Sequence, residues 1–149
     1  MTEPVIVNNE TKELVPDLEL FKTWVSLVLE FHKKQSQVSI QLVSKDQIQQ
    51  LNKNYRGKDS STNILSFEMS LPDYVEEPLI GDLAISPEVV EFEAKQQNKK
   101  LEDHWAHLVI HGTLHLLGYD HVIEEEAEIM ESLEVKLLES IDIKNPYEN

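Results

Sequence analysis

Apolar residues recur along the chain in two distinct rhythms. Over residues 18–34, after Asp17, the residues Leu20, Phe21, Trp24, Leu27, Val28 and Phe31 fall at helical spacing. That segment reads as an amphipathic helix. Over residues 37–43 the rhythm changes to alternation, with Val38, Ile40 and Leu42 on one face, which reads as a half-buried strand. Residues 5–7, just after Pro4, and residues 64–67 read as further short strands. Residues 79–85 look like another, interrupted at Gly81 and Asp82.

Polar punctuation separates these runs. Ser44 and Gln47 have the spacing of a capping box, so a short helix opens there and ends near Tyr55. A polar loop follows over residues 56–62. Residues 70–78, with two prolines and several acids, read as another loop. Ser86, Pro87 and Glu88 combine a hydroxyl cap, a proline in the first turn and an acid beside the helix dipole. That helix runs to about Gln97. Asp103 opens the next, which stops at Gly118. A last helix covers residues 123–141, with Ile129, Leu133, Val135 and Leu137 among its apolar positions. Strands and helices are mixed without strict alternation, so the fold class is α+β. No repeat or linker divides the chain, and residues 1–149 are expected to form a single domain.

Charge narrows the possible partners. The formal net charge is −15, and Arg56 is the sole arginine among 13 basic residues. This argues against a general nucleic-acid coat, because non-specific binding rests on many cationic contacts to phosphate. A local basic patch around Lys53, Arg56 and Lys58 is not excluded. There are no cysteines, so any metal must be held by nitrogen and oxygen. The absence of cysteine, and of a basic-then-apolar leader in residues 1–10, suits a cytoplasmic protein. No apolar run approaches the ~20 residues a membrane span needs.

The chemistry is concentrated in His111-Gly112-Thr113-Leu114-His115-Leu116-Leu117-Gly118-Tyr119-Asp120-His121. His111 and His115 are four apart on a helix, which stacks both rings on one face about 5–6 Å apart at Cβ. Gly118 lets the chain leave the helix, and His121 can then return toward the same point. Three neutral imidazoles leave a fourth position open on a zinc-type ion, as in catalytic sites. The pair His107 with His111 is also geometrically possible, but only His111 with His115 leads directly into the Gly118 turn. His107 is expected to pack near the site, and His104 and His32 to lie on the surface.

The same histidine spacing occurs in a large class of zinc peptidases, which place a glutamate directly after the first histidine as general base. Here that position is Gly112. The departure weighs against peptide hydrolysis and favours a substrate that needs no such base. RNA qualifies, since its 2′-hydroxyl is an internal nucleophile. Arg56 offers a planar, permanently charged fork suited to phosphate. Asp120 suits either the orientation of a ligand imidazole or a simple turn, and Asp82 and Asp59 are weaker candidates. A metallohydrolase of another substrate class remains open, as does a binding module whose metal is structural.

The segment from His107 to His121 resembles the signature of the YbeY family of bacterial endoribonucleases. Two further blocks agree with it: residues 51–59 followed by residues 62–67, and residues 81–85. The resemblance implies a small mixed β-sheet packed by helices, with the metal site on a helix and the turn after it. It implies one zinc ion on His111, His115 and His121, and a functionally important arginine at Arg56. It implies a single-strand-specific endoribonuclease in ribosomal RNA processing, notably at the 3′ end of the small-subunit RNA, and in ribosome quality control. The partners implied are ribosomal RNA and the small ribosomal subunit with its proteins; no DNA or membrane partner is expected.

Overall fold

A computed structural model describes residues 4–33, 36–57, 62–68 and 79–147. In chain order they form β1 (Val5–Asn9), α1 (Leu18–Phe31), β2 (Gln37–Leu42), α2 (Lys45–Arg56), β3 (Ile64–Glu68) and β4 (Leu79–Ile85). Three helices follow: α3 (Pro87–Gln96), α4 (Leu101–Leu116) and α5 (Glu124–Glu139). The strands make one mixed sheet in the order β1-β2-β4-β3. β1 with β2 and β2 with β4 are parallel, and β3 runs antiparallel to β4. The α+β reading and the mixed sheet are therefore both observed.

Alternation in β2 does what its pattern predicts. Val38, Ile40 and Leu42 are fully buried and meet Phe21, Trp24 and Val28 of α1 and Trp105 and Val109 of α4 in the main core. The Phe21 ring meets those of Trp24 and Trp105 edge-on, each at 5.6 Å between centroids. Such pairs add about 0.5–1.5 kcal/mol beyond the area they bury. β3 serves two layers. Ile64 packs on the main core, whereas Leu65 and Phe67 belong to a smaller cluster with Ile48 of α2. Successive strand residues point to opposite faces, so β3 separates α2 from α4.

Helix α4 approaches the sheet unusually closely. A Cβ on Gly112 would stand 2.6 Å from Ile64 Cδ1 and 2.8 Å from Leu83 Cδ2. The missing side chain lets the histidine-bearing helix lie directly on β3 and β4.

Several local expectations are corrected. The Ser44–Gln47 capping box forms and α1 opens after Asp17 as expected, but the Ser86 side chain makes no cap hydrogen bond. Pro87 and Glu88 mark the α3 start as expected. Helix α4 begins at Leu101 rather than Asp103, with Asp103 favourably placed in its first turn. β4 is continuous through Gly81 and Asp82, and its irregularity is one extra residue, Ile80, set against the step from Gln37 to Val38 of β2. The loop expected over residues 70–78, and the roles considered for Lys58 and Asp59, lie outside the described residues. No helix among the described residues is long and apolar enough to cross a membrane.

Candidate metal centre

His111 and His115 occupy successive turns at the end of α4, with ring centroids 4.6 Å apart and Nε2 atoms 3.1 Å apart. The helix stops one residue after His115. Gly118 takes φ +103°, a conformation that side chains disfavour, and the Tyr119 N–H donates back to the Leu114 carbonyl at 3.1 Å. This turn brings the His121 ring to 4.9 Å from His115 and 5.4 Å from His111. One donor atom from each of the three rings lies within 4.8 Å of the others. The predicted convergence is present.

The far nitrogens of two rings are committed elsewhere. His111 Nδ1 is hydrogen-bonded to Glu134 Oε1, and His115 Nδ1 lies 2.9 Å from the Tyr119 carbonyl. Both partners are acceptors, so they assign the proton to Nδ1 and leave the Nε2 lone pairs facing one another. Two lone pairs at 3.1 Å repel unless a cation lies between them. Nitrogens bound at ~2.0–2.1 Å to a tetrahedral ion stand roughly 3.3 Å apart. The donor set therefore fits a nitrogen-loving divalent ion.

Glu134 is the anchor of this arrangement. It is fully buried on α5, at a position in register with the apolar Met130, Leu137 and Leu138. The Tyr147 hydroxyl donates to its Oε2, and His107 Nε2 lies 3.6 Å from the same oxygen and 3.2 Å from that hydroxyl. Burial alone would raise the Glu134 pKa. Hydrogen bonds from His107 and His111, the His111 charge and the Tyr147 hydroxyl overcome this and bring it down to about 2. The carboxylate is thus charged at neutral pH. Burial, then hydrogen bonding and charge from Glu134, push the Tyr147 hydroxyl upward, so it stays a donor. Burial lowers His107, with Glu134 opposing, and burial plus the charges of His111 and His121 lower His115. Neutral imidazole is the form that binds metal.

Arg56, the last residue of α2, lines one groove with Tyr55, Ser66, Phe67, His111 and His115, enclosing about 360 Å³. Among the described residues no carboxylate pairs with its guanidinium. Its charge faces solvent and the groove.

Other expectations fare differently. His104 is not on the surface: it is 4% exposed, with Nε2 3.0 Å from Glu93 Oε1. Helix α3 covers that side of α4 and supplies Glu93 as the buried ring's partner. His32 is half-buried, its Nε2 2.8 Å from the Tyr119 hydroxyl. His107 does pack beside the site, touching Glu134 and Tyr147. Asp120 caps the turn by accepting from the His121 backbone N–H at 2.7 Å, and the Tyr119 carbonyl orients His115 instead. Asp82 lies apart from the histidines, in a separate groove with Glu10 and Gln41. Glu134, Tyr147 and the Tyr119 carbonyl went unrecognised in the sequence. One signal was available: an acidic residue on the apolar stripe of α5.

Residues 6–142 match the family model described as Endoribonuclease YbeY. The chain belongs to the YbeY family. Endoribonuclease YbeY of Francisella tularensis subsp. novicida (strain U112) is 47% identical over 144 residues, covering 93% of this chain and 89% of that one. The namesake from subsp. holarctica (strain OSU18) is 46% identical with the same coverage. The solution structure of TM1509 from Thermotoga maritima aligns with TM-score 0.57 and 26% identity, over 97% of this chain and 99% of that one. The YbeY match takes in Arg56, Glu134 and all three clustered histidines, and ends before Tyr147.

Proposed function

We propose that this chain is a metal-dependent endoribonuclease that cuts single-stranded RNA, acting in ribosomal RNA processing at the 3′ end of the small-subunit RNA and in ribosome quality control. The observation that carries the reading is the pair of opposed Nε2 atoms of His111 and His115, in one groove with Arg56. Family membership supports the activity, since the relatives are named endoribonucleases.

His111, His115 and His121 would hold the ion, with zinc the first choice for three imidazoles. When bound, such an ion supplies Lewis acidity toward a phosphoryl oxygen and acidifies water. The protein's own groups do the rest. Glu134 and the Tyr119 carbonyl fix the two ring tautomers. Arg56 receives the phosphate and offsets charge developing on phosphorus, in the groove it shares with His111 and His115. Gly112 leaves no carboxylate beside the first histidine, which supports RNA over a peptide substrate.

With 28 acidic residues against 13 basic ones, RNA is delivered by a partner rather than gathered by the surface. The small ribosomal subunit in the cytoplasm is that partner on this reading.

The test is cleavage of single-stranded RNA by purified protein, with elemental analysis, before and after chelation. Activity should vanish on chelation and return with zinc. His115→Ala should stay folded, bind less metal and fail to cut; Arg56→Glu should keep its metal and fail to cut. Unfolding of His115→Ala would favour a structural metal, and full activity of Arg56→Glu would remove Arg56 from the mechanism.

A further inference from the structure

Tyr55 immediately precedes Arg56 at the end of α2 and is 68% exposed, although it sits beside an apolar cluster. Its ring is not loose. It meets the Phe67 ring of β3 at 4.9 Å between centroids and 65° between planes. Among the described residues its hydroxyl has no hydrogen-bond partner. Both rings line the groove that holds His111, His115 and Arg56.

A large ring held at one edge and uncovered elsewhere is an expensive way to close a core. It is a good shelf for another flat ring. Tyr55 and Arg56 both line this groove at the end of α2, so its wall carries an aromatic surface and a cation. A flat apolar ring joined to an anion is the chemistry of one nucleotide. A bare phosphate would need only Arg56.

We propose that Tyr55, braced by Phe67, is a base-stacking shelf: one nucleobase flanking the scissile phosphate lies on its ring while Arg56 holds the phosphate. This rests on the ribonuclease reading and deepens it. Stacking also accounts for single-strand preference, because a paired base has no free face to offer. It is tolerant of sequence, since every base has such a face.

The experiment uses metal-loaded, full-length protein and a single-stranded RNA oligonucleotide blocked by a 2′-O-methyl group at the cut site. Tyr55→Leu should weaken binding by roughly tenfold, the size of one base–aromatic stack, and Tyr55→Phe should restore it. In a series of oligonucleotides each carrying one abasic position, the Tyr55→Leu penalty should disappear at a single position next to the cut. Metal content and circular dichroism should be unchanged in both variants. A penalty that persists at every abasic position, or no penalty at all while the unaltered protein binds, would overturn the shelf and leave the ribonuclease reading standing. If the unaltered protein neither binds nor cuts any single-stranded RNA, both fail.

Discussion

The carboxylate of Glu134 holds the Nδ1 hydrogen of His111 from a helix 23 positions further along the chain. A ring that turns about two bonds is thereby given one orientation, with Nε2 toward the other histidines. Truncation by Glu134→Ala should weaken zinc binding about 10–100-fold, the usual effect of removing a ligand's outer partner. Tyr147→Phe, which removes only the hydroxyl that steadies the other oxygen, should have a smaller effect in the same direction and cost ~1 kcal/mol of stability. Competition with a chromogenic chelator and thermal melts measure both. Unaltered affinity in Glu134→Ala would show that His111 needs no support.

Gly112 should tolerate no side chain. Gly112→Ala drives a methyl group into Ile64 and Leu83 and should destabilise the protein by about 1–3 kcal/mol in urea denaturation. Gly112→Glu should fail to fold rather than gain peptidase activity. A stable Gly112→Glu protein would refute the packing argument.

Acid should weaken the joint between α3 and α4. Burial acts to raise the Glu93 carboxyl, but hydrogen bonds from His104 and Asn63 and the charges of His104 and Lys99 outweigh it, leaving it below the ordinary 4.5. A pKa lower in the folded state than in the unfolded one means stability that is complete above 4.5 and lost as pH falls through the lowered value. Glu93→Gln should therefore melt lower at pH 6 than the unaltered protein, and the gap should narrow toward pH 3. A gap that does not change with pH would assign the effect to shape alone.

Isolated RNA should bind weakly, with affinity falling as salt rises. Basic residues are few in the sequence, and among the described residues Arg56 is the cation that lines the groove. The slope of binding against salt should be shallow, and shallower still in Arg56→Gln. Tight binding insensitive to salt would contradict a partner-guided enzyme.

What the sequence discloses depends on range. Periodicity reports neighbours on one element, so the β2 alternation, the α2 capping box and the stacking of His111 over His115 were readable directly. The return of His121 was readable because one glycine controls it. Contacts between elements were not. His104 looked like a surface residue because its partner Glu93 lies on a different helix. Glu134 was hidden among the many acids of α5, where only its place on the buried stripe distinguishes it. The Tyr119 carbonyl carries no side-chain signal at all, because any residue there has one.

The bond from His32 to the Tyr119 hydroxyl spans 87 positions. Its consequence is one of reach. Tyr119 also packs on the main core, and its backbone N–H closes the turn onto Leu114, so docked α1 adds a further hold on the residue whose carbonyl orients His115. Through that bond the first helix of the chain braces the bend that delivers His121.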